Sequence, residues 1–114
     1  MIAGLGVDLV SVDRIKALYE KFGERFLRRI FTDGEIEYCM RMRNPFPHLA
    51  ARFAAKEAFI KASGKRKELT LKEIEVIKDE SGSPHIKANG VNQRALVSLS
   101  HERNYAIAYV VVIE

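Results

Sequence analysis

Asp8 and Glu57 are the two acids set inside apolar elements. One lies in Gly6-Val7-Asp8-Leu9-Val10 and the other in Arg52-Phe53-Ala54-Ala55-Lys56-Glu57-Ala58-Phe59-Ile60-Lys61-Ala62. A helix that is small or hydrophobic on most sides is expected to be buried, and a buried carboxylate must be hydrogen-bonded, paired or bound to a metal. Two hard oxygen ligands with no paired histidine or cysteine suit Mg²⁺, so Asp8 and Glu57 form a candidate metal site if the fold brings them together. The competing reading of Glu57 is an ion pair with Lys61, one helical turn on in the favourable orientation. Phe53, Ala54, Ala58, Phe59 and Ile60 surround that pair, so both charges are expected to lose water, which makes Glu57 and Lys61 candidates for base and acid work. Ser98, Ser100 and His101 do not make a nucleophilic set, because no strand-to-helix elbow surrounds the serines and alternation puts His101 on the opposite face.

The elements that must position these groups follow from periodicity. Ile2, Gly4, Gly6, Asp8 and Val10 share one face of an opening strand, with Ala3, Leu5, Val7 and Leu9 on the other. The glycines beside Asp8 either admit a packed helix or leave space for a ligand to approach the backbone, and the neighbouring acid favours the ligand. They are a weak dinucleotide signal, since no third glycine opens the next helix. Ser11 or Asp13 can cap an amphipathic helix running to about Lys21. Thr32-Asp33-Gly34-Glu35 resembles a capping box that opens a further helix through Met42, and Asn44-Pro45 closes it before a long helix from about Pro47 to Ser63, stopped by Gly64. Beyond a basic loop, Ile74 and Val76 alternate with acids, Asp79 to Pro84 makes a turn, and His85 to Lys87 completes a hairpin. Strands are expected over Ala95 to His101 and Tyr105 to Ile113. The last is apolar on both faces and is expected to be covered on both, by helices or by another subunit. Helices grouped between one N-terminal strand and several C-terminal strands predict an α+β fold.

The bulk of the sequence sets limits. At 114 residues the chain is expected to form a single domain, residues 1–114, that folds without a disulfide or structural metal. The lone Cys39 suits a reducing compartment, and His48, His85 and His101 are too scattered for a zinc pattern. The apolar start has no basic leader and falls far short of a membrane span, so a cytoplasmic protein is expected. Between His48 and Glu68 six bases face two acids, which accounts for the whole net charge of +4. A local positive field favours anionic partners, although a run such as Lys65-Arg66-Lys67 is as often a solvated loop.

Taken together, the chain resembles the small phosphopantetheinyl transferases over nearly its whole length. Gly6-Val7-Asp8-Leu9-Val10 is similar to the family's N-terminal strand motif. Arg52-Phe53-Ala54-Ala55-Lys56-Glu57-Ala58, followed by Lys61, Ala62 and Gly64, is similar to its helix signature. Arg14, the Phe31-Thr32 and Glu35 set, Gly82 with Pro84, and Ser98 to His101 fall in the family's order. The resemblance implies transfer of the 4′-phosphopantetheine arm of coenzyme A to a serine of apo-acyl carrier protein, releasing adenosine 3′,5′-bisphosphate. Asp8 and Glu57 would hold Mg²⁺, Glu57 would also accept the serine proton, directly or through a water, and Lys61 would neutralise or protonate the leaving group. By motif position Arg52, Gly64, Pro84 and His101 are expected to contact coenzyme A. Where the family runs glycine-rich after Gly64, this chain has Lys65-Arg66-Lys67-Glu68, so Lys65 or Arg66 is expected to grip the 3′-phosphate by charge instead. Arg14, Lys21, Arg25 and Arg28, on the basic outer side of the first helices, would dock an acidic carrier protein. The resemblance also implies a homotrimer with sites between subunits.

A basic binding module for nucleic acid or an acidic protein is the alternative from a different class. It explains the basic loop but neither Asp8 nor Glu57, and no nucleic-acid motif or interleaved aromatic set appears. A transferase preferring carrier domains of peptide or polyketide synthases is a further alternative, but those enzymes usually resemble two such domains fused.

Overall fold

The computed structural model describes residues 1–114. Strand β1, Ile2–Ser11, leads directly into helix α1, Val12–Phe22, whose N-cap Ser11 Oγ accepts from the Arg14 amide at 3.3 Å. Helix α2, Glu24–Ile30, follows after Gly23, and α3 spans Asp33–Met40. The Thr32 capping box forms in both directions: Thr32 Oγ1 accepts from the Glu35 amide and Glu35 Oε1 from the Thr32 amide. Helix α4, Pro45–Ser63, is capped by Asn44 and ended by Gly64, whose φ of 72° is the left-handed conformation that favours glycine. A 3₁₀ turn at Leu71–Glu73 enters β2, Ile74–Lys78, which pairs with β3, Pro84–Ala88. Strands β4, Arg94–His101, and β5, Tyr105–Ile113, complete the chain.

The architecture is α+β, with a three-stranded antiparallel sheet in the order β1-β5-β4 and a separate β2-β3 hairpin. Asp8 stands opposite Ala108 and Val10 opposite Ala106, while His101 also pairs Ala106 from the other side. Helix α4 lies across one face of this sheet. It buries Ala106, Ala108, Val110 and Val112 of β5, together with its own Ala50, Ala51, Ala54, Ala55, Ala58 and Phe59. Small side chains on both surfaces let the helix approach closely. A Cβ added at Gly4 would overlap the Ala62 carbonyl oxygen, and one at Gly6 would overlap that of Ala58. The glycines therefore admit the helix, and no ligand space opens at them.

The other sheet face is bare. Leu5 is 56%, Leu9 61%, Leu96 53% and Tyr109 46% exposed, with Val7, Tyr105 and Ile107 beside them. The expectation that β5 is covered on both faces thus holds within one chain for the α4 side only. Most proteins leave no contiguous apolar surface of this kind without a partner.

The fully buried charges are not those the sequence pointed to. Lys56 and Glu35 are both inaccessible and form an ion pair. Lys56 Nζ also donates to the carbonyls of Ile30, Leu71 and Ile74 at 2.9, 3.1 and 2.7 Å, and Glu35 Oε2 accepts from the Val76 amide at 2.7 Å. Five elements are tied at this point. Because Lys56 is internal, the positive stretch from His48 to Glu68 presents less charge to solvent than its composition implies.

Candidate active site

The close approach at the two glycines fixes the register of β1 against α4. Gly4 meets Ala62 and Gly6 meets Ala58, so the strand runs antiparallel to the helix and advances two residues for each helical turn. Two strand residues cover about 6.6 Å and a helical turn about 5.4 Å, so the match persists over several residues. Asp8 therefore falls level with the turn of Ala54 to Glu57. The Lys61 side chain points back toward the helix N-terminus, as long side chains on helices do. Its Nζ ends 3.0 Å from Asp8 Oδ1 and 3.0 Å from the Val7 carbonyl oxygen. Asp8, Glu57 and Lys61 are thereby gathered at one flank of α4.

One competing reading of this trio is removed and one expectation changes. Lys61 pairs with Asp8 across the strand, so the ion pair with Glu57 does not form. The desolvation expected for both groups is also absent, since Lys61 is exposed and Glu57 half-buried. From Leu49 to Ala62 every residue of α4 is buried except Phe53, Glu57 and Lys61, three positions spaced one turn apart. Glu57 thus sits on the single open stripe of an otherwise enclosed helix, with no protein partner. No third acid, histidine or cysteine joins the two carboxylates. A cation held there would complete its shell from water and phosphate oxygens, the arrangement Mg²⁺ favours.

A second constellation lies on the opposite flank. His48, Arg52, Lys78, Gly82, Pro84 and His101 line a cavity of about 250 Å³ together with Ala51, Val97, Ser98 and Leu99. Four of these side chains are bases and none is an acid. Arg52 is only 2% exposed and its Nε has no hydrogen-bond partner. Its Nη1 donates to the His48 carbonyl at 3.2 Å, and its guanidinium stacks 4.4 Å from the Tyr38 ring centre. A buried cation with an unfilled donor, in a cavity free of acids, is built to receive an anion. Of the expected coenzyme A contacts, Arg52, Pro84 and His101 come together here. Sequence reasoning missed His48 and Lys78, though His48 precedes Arg52 by one turn of α4 and Lys78 pairs with Pro84 across the hairpin.

Gly64, Lys65 and Arg66 are elsewhere. Twelve helical residues at 1.5 Å each separate Gly64 from Arg52 by about 18 Å along α4. Lys65 Nζ lies 3.3 Å from Glu68 Oε2, beside a cleft lined by Gly90 to Gln93, Ile113 and Glu114. Arg14, Lys21, Arg25 and Arg28 are all exposed, and Arg28 shares charge with Glu24 at 3.5 Å. The Arg14 guanidinium lies 5.9 Å from the Phe53 ring centre, one turn before Glu57. The basic surface of α1 thereby reaches the open stripe.

No helix is long and apolar enough to cross a membrane. Comparison with known proteins agrees with the fold and the motifs. The model of the 4′-phosphopantetheinyl transferase superfamily matches residues 4–110. The chain is 59% identical to a holo-[acyl-carrier-protein] synthase from Thermodesulfovibrio yellowstonii, covering 98% of this chain and 99% of that protein. It is similar to the crystal structure of the Neisseria meningitidis holo-[acyl-carrier-protein] synthase, with a TM-score of 0.89, 36% identity and full coverage of both chains. The Helicobacter pylori enzyme, solved in complex with coenzyme A, superposes with a TM-score of 0.86 at 32% identity over 96% of this chain and 99% of that one. With the glycine-spaced strand, the helix signature and the whole fold in agreement, the chain belongs to the holo-[acyl-carrier-protein] synthases of the 4′-phosphopantetheinyl transferase superfamily.

Proposed function

We propose that this protein transfers the 4′-phosphopantetheine group of coenzyme A to a serine of apo-acyl carrier protein, with Mg²⁺, in the cytoplasm and in the service of fatty acid biosynthesis. The observation that carries the reading is Glu57, an unpartnered half-buried carboxylate on the one open stripe of α4, level with an Asp8 already bound to Lys61. Family membership supports the reaction class.

In this reading the serine oxygen forms a bond to the phosphorus on the pantetheine side of the pyrophosphate, and the bond from that phosphorus to the bridging oxygen breaks. The bridging oxygen leaves with adenosine 3′,5′-bisphosphate, and the serine proton passes to Glu57. Asp8 and Glu57 are the residues that would hold Mg²⁺, which when bound neutralises charge on the pyrophosphate. Lys61, steadied by Asp8 and the Val7 carbonyl, offers a cation to the departing oxygen. The adenosine end is assigned to the acid-free cavity, where Arg52 and Lys78 supply fixed positive charge and Pro84 an apolar wall. Arg14, Lys21, Arg25 and Arg28 receive the acidic carrier, with Arg14 nearest the reacting groups.

The two constellations are incomplete alone. Arg52 and Glu57 project from α4 about 140° apart at 100° per residue, and β1 and β4 are opposite edges of the sheet. One extended ligand reaches both only if the anion cavity of one subunit adjoins the Asp8 and Glu57 flank of the next. The bare apolar sheet face supplies a reason for subunits to associate, and we assign it to a homotrimer. Incubation with coenzyme A, Mg²⁺ and apo-acyl carrier protein, followed by intact-mass spectrometry of the carrier, tests the function. A carrier that gains no phosphopantetheine arm would refute it.

A further inference from the structure

The anion cavity holds more imidazole than a site built from fixed charge needs. His48, in the first turn of α4, faces His101, at the end of β4, with ring centres 5.0 Å apart and planes inclined by 67°. Both line the cavity with Arg52 and Lys78. Neither ring hydrogen-bonds to a protein group, whereas His85, outside the cavity, has Nε2 2.7 Å from Asp79 Oδ2. The groups facing His48 are His101 from β4, Arg52 from α4, Lys78 from β2 and the Tyr38 phenol ring from α3, whose centre is 6.4 Å away. None of them is an acid. Burial first, and then the facing His101, Arg52 and Lys78, hold the His48 imidazole below its usual pKa.

We propose that His48 makes the cavity's hold on a phosphate monoester proton-linked, so that an arriving phosphate recruits a proton onto the His48 ring. The inference rests on assigning this cavity to the adenosine end of coenzyme A, whose 3′-phosphate is such a group. A phosphate dianion offsets the positive charge of Arg52 and Lys78 at the rings. The His48 imidazole, disfavoured as a cation by burial and by its cationic neighbours, then binds a proton more readily and presents a second N–H donor to the phosphate oxygens. Affinity must therefore climb as pH falls through the imidazole range. The ligand works in the opposite sense: a phosphate monoester has a second pKa near 6, and binding to fixed cations makes it release protons. Net uptake consequently has to come from the protein.

Isothermal titration of coenzyme A, without carrier protein and at fixed Mg²⁺, in paired buffers of different ionisation enthalpy between about pH 6 and pH 8 counts these protons. The native protein should take up protons, with affinity rising toward about tenfold per pH unit where one proton is fully coupled. His48→Gln should lose most of that uptake and flatten the pH slope. His101→Gln, at an exposed strand end, removes one of the groups that disfavour the His48 cation before phosphate arrives, and should reduce the uptake without touching the helix. The 3′-dephospho form of coenzyme A should show no uptake with any of the three proteins. Equal uptake by His48→Gln and the native protein, or equal uptake with the dephospho form, overturns the inference. If coenzyme A does not bind at all, the assignment of the cavity itself fails, an outcome distinct from binding without His48-dependent proton uptake.

Discussion

Replacing Lys56 by methionine, which nearly matches its volume, should destabilise this chain more than any substitution at the surface lysines. Lys56 Nζ meets Glu35 and the carbonyls of Ile30, Leu71 and Ile74, and both charged side chains are fully inaccessible. Methionine fills the space but strands a buried carboxylate that retains only the Thr32 and Val76 amides, and it leaves three carbonyl oxygens without this donor. Breaking a buried ion pair from one side costs about 3–5 kcal/mol, a large part of the roughly 5–15 kcal/mol that holds a typical domain together. Adding Glu35→Gln removes the uncompensated charge while keeping an oxygen for the Val76 or Thr32 amide, so the double variant should recover about 1–3 kcal/mol of the loss. Urea unfolding at one fixed protein concentration, followed by far-ultraviolet circular dichroism because the chain has no tryptophan, reads these differences. A Lys56→Met variant within about 1 kcal/mol of the native protein, or a double variant whose loss equals the sum of the single losses, would refute the reasoning.

The remaining predictions concern the site and the alkaline limit of the fold. Glu57→Gln and Asp8→Asn should each lower kcat by about 10²-fold or more with an unchanged circular dichroism spectrum; a Glu57→Gln variant turning over at near-native rate would strip Glu57 of its role as base. Gly6→Ala drives a methyl group into the Ala58 carbonyl, so it should cost about 1–3 kcal/mol and, by prising β1 from α4, depress activity further than its stability loss explains. Arg14→Ala should raise KM for the carrier protein about two- to fivefold at low ionic strength and lose that effect in high salt, as steady-state kinetics would read. The Cys39 thiol is pushed up from 9.0 to about 11 by burial, with Arg52 opposing and Glu35 adding to the shift. The folded chain therefore holds that proton more tightly than the unfolded chain, and stability falls by about 1.4 kcal/mol per unit as pH rises from 9 toward 11. Lys56, whose pKa burial lowers, acts in the opposite sense, so the decline specific to the thiol is the difference in slope between native protein and Cys39→Ala in urea melts.

Periodicity and local capping chemistry made most of the fold legible. The switch from helical to alternating spacing near Ile74, the Thr32 capping box, Asn44 ahead of α4 and Gly64 after it all mark boundaries that the structure keeps to within about two residues. Helix α2 escaped because seven residues show too few turns for a period to emerge, and only Gly23, at a φ of 60°, separates it from α1. The buried pair escaped for a different reason. Glu35 reads as a capping-box acid, which it is, and nothing local says that its second oxygen reaches β2. Lys56 reads as one more base in a positive stretch, because the carbonyls that bind it come from segments 15 to 26 residues away in sequence.

Glu57 is singled out by its sequence context on a premise that the structure reverses. Its alanine-rich surroundings imply burial, with desolvation as the source of its chemistry. Those surroundings belong instead to Lys56, one residue earlier and about 100° around the helix, which is the charge the core encloses and satisfies. Glu57 follows Phe53 and precedes Lys61 along the stripe that α4 leaves open, and there its value is the reverse of burial: water and phosphate oxygens can reach it. The packing that makes the helix look inhospitable to charge is what makes that stripe so narrow. With glycines at positions 4 and 6 drawing β1 onto the helix, a stripe one residue wide runs beside Asp8, and Lys61 can reach across to it. Alanines and glycines, which have no chemistry of their own, thus determine which charged groups meet, and for this reason Gly6→Ala is as informative a probe of the site as Glu57→Gln.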